Sequence, residues 1–300
     1  MGEHFADRLL AAIQRKGSPV CVGLDPVYDR LPGALSAGPQ APAAQRLAAI
    51  ERFCLGLLEA VAPLVPAVKP QSAYFEAYQA DGVKLYFDLV AQARRMGLIV
   101  IGDVKRNDIG PTAEAYAAGH LAAPDAADAV TINGYLGADG LTPFIAAARQ
   151  AGRGVFVLVR TSNPSAAAVQ DLASADGRKL YEHLAAQVAD LGGAPDCLGA
   201  SGYSCVGAVV GATYPREAAA LRKAMPRQIF LVPGYGAQGA TAADCAASFK
   251  PDGTGAIVNA SRSVIFAHQR KEYAGLDWRQ AVTAAAREFA AEIAAAVRKH

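Results

Sequence analysis

The 300-residue sequence has few charged residues and no long apolar run. Charged residues make up 19% of the chain and hydrophobic residues 52%, a balance that allows a sizeable core and argues against disorder. The formal net charge of +2 gives no general case for nucleic-acid partners. No run approaches the roughly 18 apolar residues of a membrane span. The sequence therefore predicts a globular protein that binds neither nucleic acid nor membranes.

Cysteine and histidine are also scarce, with five of each. The cysteines are scattered without a C-x-x-C pair, so we expect reduced, buried thiols in a cytoplasmic protein. The N-terminal stretch 1–16 carries acidic residues early, which is unlike a signal peptide. The histidines are isolated, with neither H-x-x-x-H nor H-x-E, so the sequence predicts no metal site.

What the chain does contain is an alternation of β-rich runs and helix-like stretches along almost its whole length. The predicted strands are 19–25, 66–71, 98–105, 128–133, 154–161, 205–212, 228–234 and 255–261. The predicted helices include 43–64, 83–96, 178–191, 215–225, 241–249 and 278–298. Several of the strands are apolar on both faces, which is typical of buried parallel strands.

Eight such units predict an α/β fold, a single (β/α)₈ TIM barrel that spans residues 1–300. An N-terminal helix precedes the first strand and a C-terminal helix closes the chain. A doubly wound sheet is the alternative, but it rarely needs eight evenly spaced parallel units. The stretches 31–45 and 162–176 are predicted to be long loops rather than linkers, because the alternation resumes unchanged beyond them.

Chemistry in such barrels gathers at the carboxyl ends of the strands. Polar residues stand at six of these ends: Asp25, Lys69 with Gln71, Asp103 with Lys105, Asn133, Arg160 with Thr161 and Ser162, and Asn259 with Ser261 and Arg262. The ends of strands one to three are ionic. The ends of strands seven and eight suit a phosphate.

The most informative stretch is IGDVKRNDIG at 101–110. Residues two apart in a strand share a face, so Asp103 and Lys105 are expected to point the same way. Asp108 follows in the loop, and Lys69 lies on the neighbouring strand. Two lysines and two aspartates could form a structural ion-pair network, but their position beside a phosphate-type loop favours catalysis.

The lysine could form a Schiff base or donate a proton. A Schiff-base lysine needs a depressed pKa, whereas flanking carboxylates keep the pKa high and the ammonium charged. The pattern therefore favours Lys105 as a proton donor to a carbanion. The lysines also supply the counter-charges that a metal would otherwise bring to the aspartates.

The stretch PGYGAQG at 233–239 matches G-x-G-x-x-G. A dinucleotide fingerprint usually opens its fold, and an acidic residue ends the next strand. Here the pattern follows the seventh strand, and the eighth ends in Asn259 and Arg262. The glycine amides with Gln238 and Arg262 instead predict a site for a phosphate monoester. A glycine-rich turn without function remains the alternative for any single glycine.

Together the motifs resemble those of the orotidine 5'-monophosphate decarboxylases, most closely the longer bacterial form. The matching stretches are VGLDP (22–26), KPQSAYFE (69–76), IGDVKRNDIGPTAEAY (101–116), RTSNPS (160–165), PGYGAQG (233–239) and NASRSVIF (259–266). The D-x-K-x-x-D pattern alone is shared with related sugar-phosphate decarboxylases. The whole set, in the family's order, is far more specific.

The resemblance implies a (β/α)₈ barrel, usually a homodimer, that converts orotidine 5'-monophosphate to UMP and carbon dioxide without metal or cofactor. Lys105 would protonate C6 as carbon dioxide leaves. Asp103 would face the substrate carboxylate, and Lys69 would belong to the same charged array.

The resemblance also assigns residues that bind the substrate. Asp108, Ile109 and Thr112 would reach into the site of the neighbouring subunit. Asp25 and Lys69 would contact the ribose, and Ser162 would contact the pyrimidine. Gln238 and Arg262 would hold the phosphate. A lid would be formed by Pro233, Gly234 and Gly236.

Two other functions remain open at this point. A metal-assisted sugar-phosphate decarboxylase or aldolase would share the barrel, and a non-catalytic nucleotide-binding protein would share the phosphate site. Binding alone does not need Lys105 flanked by two carboxylates, so the charged array favours an enzyme.

Overall fold

A computed structural model describes residues 3–236 and 239–299. Eight parallel strands close into a barrel in sequence order, with the last paired to the first. The strands are β1 Val20–Leu24, β2 Ala67–Pro70, β3 Ile99–Arg106, β4 Ala129–Asn133, β5 Gly154–Arg160, β6 Val206–Val210, β7 Phe230–Val232 and β8 Ala256–Ala260. The predicted barrel is confirmed, and each strand lies within its predicted run or ends one residue beyond it.

Helices connect the strands around the outside of the barrel. They are α1 Phe5–Lys16, α2 Ala43–Val61, α3 Ala73–Glu76, α4 Gln79–Arg95, α5 Gly110–Ala117, α6 Ala138–Ala151, α7 Ala167–Gln170, α8 Leu180–Gly192, α9 Pro215–Ala224, α10 Ala242–Ala246, α11 Arg262–Ile265 and α12 Trp278–Arg298. Within residues 3–236 and 239–299, no helix combines the length and apolarity needed to cross a membrane.

The N-terminal helix α1 closes the end of the barrel where the strands begin. Its Phe5 packs edge-on against Phe156 of β5, with ring centroids 5.9 Å apart. Gly154 makes this possible, because a Cβ there would stand 2.3 Å from the Phe5 ring. Apolar side chains therefore fill this end of the barrel, and polar contacts such as the ion pair between Arg8 and Asp128 lie around them.

The C-terminal helix α12 has the predicted bounds and holds the loop after β7. Asp277 caps its first turn by accepting a hydrogen bond from the Arg279 N–H at 2.9 Å. Tyr235, in the glycine-rich loop, packs against Phe289 with ring centroids 4.8 Å apart. Helix α12 therefore holds the loop after β7 at the rim of the barrel.

The long loop at 162–176 is tied to the end of β5 by Arg160, whose side chain is fully buried. Its guanidinium lies 3.0 Å from the Asp171 carboxylate. The Gln170 side chain accepts a hydrogen bond from the Thr161 N–H at 3.0 Å. These contacts attach the loop to the carboxyl end of β5.

Candidate active site

Two adjoining cavities open at the carboxyl rim of the barrel. The larger cavity, about 410 Å³, lies over β3 to β7. The smaller cavity, about 170 Å³, lies over β1, β2, β7 and β8. They share Lys69, Asp103 and Pro233, so a single ligand could extend through both.

Between the cavities stands a charged centre formed by Lys69, Asp103 and Lys105. The Lys69 Nζ lies 2.5 Å from one Asp103 oxygen, and the Lys105 Nζ lies 2.5 Å from the other. Lys69 and Asp103 are buried, whereas the Lys105 side chain is 47% exposed. One carboxylate therefore holds two ammonium groups, and the lysine open to solvent lies at the mouth of the larger cavity.

The charges in this centre stabilise one another. Burial alone would raise the pKa of Asp103, but the ammonium groups of Lys69 and Lys105 outweigh it and hold that pKa well below its usual range. Burial lowers the pKa of Lys69, yet the carboxylates of Asp103 and Asp25 bring it above its ordinary value. Asp103 and Lys69 therefore both carry charge at neutral pH.

Asp103 and Lys105 meet as expected, but on an irregular backbone. Gly102 pairs with Val130 and Arg106 with Ile132, so three residues of β3 lie opposite one residue of β4. Lys105 has a φ of 44°, in the left-handed region that side chains rarely adopt. The expectation of an ordinary pleat from Asp103 to Lys105 is therefore wrong.

The residue opposite this bulge is Thr131, which is not among the predicted site residues. Its hydroxyl donates to Asp103 at 2.9 Å and accepts from the Lys105 backbone N–H at 3.0 Å. The only sequence signal is a single hydroxyl residue within the apolar run of β4. Such a residue cannot be distinguished from an ordinary strand threonine until the register between β3 and β4 is known.

The smaller cavity contains polar atoms that the chain leaves without partners. Asp25 Oδ1 and Asn259 Oδ1 are buried and accept no hydrogen bond from any described residue. Ser261 and Arg262 line the same cavity, and Arg262 takes part in none of the ion pairs within 3–236 and 239–299. Since buried acceptors are normally satisfied, these atoms indicate a place for a ligand with hydroxyl groups and negative charge.

The glycine-rich loop borders this cavity through Gly234. Gly234, Gly236 and Gly239 have φ values of 107°, 69° and 87°, all in the left-handed region. The helix that follows, α10, has only five residues and is shorter than the predicted 241–249. The long helix that a dinucleotide fingerprint requires is therefore missing here. Gln238, predicted as a phosphate ligand, lies outside the described residues.

The larger cavity has a polar side and an apolar side. Ser162, with Thr161 and Asn163, lines it beside the charged centre. Leu158, Val209 and Leu231 form the apolar part of the lining. This arrangement suits a flat ring with polar edges.

Three predicted residues lie away from both cavities within this chain. Asp108, Ile109 and Thr112 lie at and just before the start of α5, and none of them lines either cavity. The Asp108 carboxylate accepts a hydrogen bond from the neighbouring Ile109 N–H at 2.9 Å, and the Ile109 side chain is 54% exposed. A single chain therefore does not bring Asp108 into the charged centre.

Comparisons with known proteins all identify the same family. The model of the orotidine 5'-phosphate decarboxylase / HUMPS family matches residues 18–275. An orotidine 5'-phosphate decarboxylase of Rhodopirellula baltica is 47% identical, over 94% of this chain and 96% of its own length. One of Deinococcus radiodurans is 44% identical, over 89% of this chain and 91% of its own.

The fold of this chain also resembles that of a solved structure. The OMP decarboxylase of Leishmania donovani is 32% identical, covers 99% of this chain and 100% of its own, and superposes with a TM-score of 0.74. The matched region begins before β1 and ends beyond β8, so it includes every strand that supplies the two cavities. The chain belongs to the orotidine 5'-phosphate decarboxylase family.

Proposed function

We propose that this protein decarboxylates orotidine 5'-monophosphate to UMP and carbon dioxide, a step of pyrimidine biosynthesis. The observation that carries the proposal is the Asp103 carboxylate held between two ammonium groups at the junction of the cavities. The names of the relatives support orotidine monophosphate rather than a sugar phosphate as the substrate.

The reaction breaks the bond between C6 and the carboxylate and leaves its electron pair on C6. Lys105 places a positive charge where that negative charge develops, and its ammonium then donates the proton that forms the new C6–H bond. Asp103 holds Lys105 in position and faces the substrate carboxylate. The neutral lysine amine regains a proton from water. The ammonium of Lys105, already held in position by Asp103, thus stabilises the carbanion in place of a cofactor that would accept its electrons.

The two cavities divide the substrate between them. The pyrimidine occupies the larger cavity, where Ser162 contacts its amide edge. The ribose hydroxyls satisfy Asp25 and lie against Lys69. The phosphate enters the smaller cavity, where Arg262 grips it together with Gln238, and the loop that contains Pro233, Gly234 and Gly236 closes as a lid. The cost of closing and ordering the lid is offset by binding energy from the phosphate, far from the reacting carbon.

We propose that the reaction needs no metal. Both oxygens of Asp103 already accept a hydrogen bond from an ammonium, so a divalent cation would have to displace Lys69 or Lys105. A spectrophotometric assay of the pure protein with orotidine monophosphate in EDTA tests both proposals. We expect full activity. Loss in EDTA with recovery in magnesium would contradict the metal-free mechanism, and UMP binding without turnover would contradict the enzyme assignment.

We also propose a homodimer in the cytoplasm, with Asp108, Ile109 and Thr112 completing the partner's site. The segment before α5 adjoins an exposed apolar patch, since both Asp108 and Leu136 lie about 3 Å from the position of a Cβ on Gly140. Ile109, Tyr135 and Leu136 all expose more than two fifths of their surface. The buried, free cysteines support a reducing compartment.

Mixing two inactive variants tests the shared site. Lys105→Ala and Asp108→Ala chains, unfolded and refolded together, form a hybrid dimer with one doubly defective site and one intact site. If Asp108 crosses the interface, an equal mixture regains roughly a quarter of wild-type activity, because half of the dimers are hybrid and each has one working site. Activity no higher than that of the separate variants would contradict the crossing.

A further inference from the structure

Thr131 occupies a special position in the pairing of β3 with β4. The pairs Gly102–Val130 and Arg106–Ile132 leave 103–105 opposite this one residue. A bulge of this kind removes backbone hydrogen bonds from the ladder, so its amides need other acceptors. The Lys105 N–H finds its acceptor in the Thr131 hydroxyl, at 3.0 Å.

The same hydroxyl also acts on the carboxylate of the charged centre. It donates to Asp103 Oδ1 at 2.9 Å, on the oxygen that receives the Lys105 ammonium. Thr131 lines the larger cavity but is only 1% exposed, and both of its hydrogen bonds are made to the protein. One hydroxyl therefore links the backbone of Lys105 to the side chain of Asp103.

This link offsets a strained backbone. A φ of 44° at Lys105 lies in the left-handed region, which is less stable for a side-chain-bearing residue than an ordinary strand conformation. If the Lys105 N–H had no acceptor, the segment would lower its free energy by relaxing toward a regular extended backbone. That change would redirect the Cα–Cβ bond of Lys105 and carry its ammonium away from Asp103.

We infer that Thr131 is a positioning residue, whose hydroxyl fixes Lys105 and Asp103 in the geometry that proton donation to the substrate requires. The inference rests on the proposed decarboxylase function. It concerns the chemical step more than binding, because the Thr131 hydroxyl directs both of its hydrogen bonds to the protein. Its loss should therefore lower kcat and leave KM nearly unchanged.

The test uses substitutions that separate the hydroxyl from the shape of the side chain. Thr131→Val keeps the shape and removes the hydroxyl, and Thr131→Ser keeps the hydroxyl. We expect kcat to fall about 10- to 100-fold in the valine variant, the effect of losing a hydrogen bond to a charged group, and to recover in the serine variant. Thr142→Val is the matched control, because that hydroxyl bonds only the Ala138 carbonyl on an exposed helix face.

Hydrogen exchange at the Lys105 amide gives a second readout that is independent of turnover. Faster exchange in Thr131→Val than in wild type supports the inference, and unchanged exchange overturns it. A valine variant with wild-type kcat, or with a raised KM alone, also overturns it. If the valine variant does not fold, the comparison of Thr131→Ser with Thr131→Ala isolates the same hydroxyl.

The two proposals fail in different ways. If the wild-type protein does not turn over orotidine monophosphate, the proposed function fails, and amide exchange at Lys105 still decides whether Thr131 fixes the bulge. If the wild type is active and Thr131→Val equals it in kcat, the function stands and the positioning role is wrong.

Discussion

The two sides of the barrel mouth differ in how completely the chain satisfies its own polar groups. In the charged centre, every oxygen of Asp103 has at least one partner among Lys69, Lys105 and Thr131. In the smaller cavity, Asp25 and Asn259 each leave a buried oxygen without a partner among the described residues. In the charged centre, folding alone satisfies the polar groups. In the smaller cavity, a ligand would have to supply the missing hydrogen bonds.

This difference matches the tasks proposed for the two sides. A reacting centre works best when its charges are already oriented, since no reorganisation is then needed as the transition state forms. A site that drives lid closure works best when binding supplies contacts that the free protein lacks. Changes to the charged centre should therefore affect kcat, and changes to the smaller cavity should affect binding.

The largest effect is expected from Lys105→Ala, which removes the positive charge and the proton donor together. Decarboxylation should fall about 1,000-fold or more, beyond the loss of a single transition-state hydrogen bond, because two functions disappear. Steady-state assays measure the loss, and calorimetry with UMP checks that binding survives. Lys84→Ala, at an exposed surface ion pair, is the control. Substantial residual turnover would remove Lys105 from its role.

A smaller effect, confined to binding, is expected from Arg262→Ala. Loss of a charge-assisted contact to the phosphate should raise KM about 10- to 100-fold for orotidine monophosphate. The unphosphorylated nucleoside should react as it does with wild type. Arg95→Ala, at an exposed position on α4, serves as the control. An equal rise in KM for both substrates would mean that Arg262 does not bind the phosphate. The proposed difference between the charged centre and the smaller cavity would then be wrong.

The smallest effect is expected from pH. The pKa of Asp103 lies below its ordinary 3.8, so the carboxylate is ionised throughout the neutral and mildly acidic range. Its stabilising ion pairs are present at neutral pH and are lost only as the pH falls through that lowered pKa. A phosphate monoester instead takes up a proton near pH 6.

Between about pH 7 and pH 5, kcat should therefore stay level, whereas kcat/KM should fall up to about tenfold as the phosphate becomes a monoanion. Initial rates over a range of substrate concentrations at each pH separate the two quantities. A fall of kcat in the same range would show that the charged centre itself titrates, contrary to the geometry around Asp103.

Some parts of the fold followed directly from local sequence. The helix predicted at 278–298 has its observed ends, and the structure shows that Asp277 caps its first turn. The helix predicted at 241–249 is shorter, Ala242–Ala246, since the chain leaves the α-helix for turns at Ser248 and Phe249. Short alanine-rich runs carry little propensity information about where a helix ends.

The site shows the same division. Polar residues at strand ends revealed the charged centre, because a barrel brings all carboxyl ends of its strands to one rim. The contribution of Thr131 could not be read in this way, since it depends on a register shift between two strands. The unpartnered oxygen of Asn259 was equally hidden, because hydrogen-bond satisfaction is a property of the packed structure.

The sequence by itself determined the barrel, the order of its strands and the residue types at its rim, because these follow from periodicity and from the polarity of parallel strands. Only the tertiary structure decided how Lys105 reaches Asp103: through a bulge, a left-handed residue and the Thr131 hydroxyl. The physical reason is that strand register and backbone strain arise from contacts between segments distant in sequence, and no local pattern encodes them.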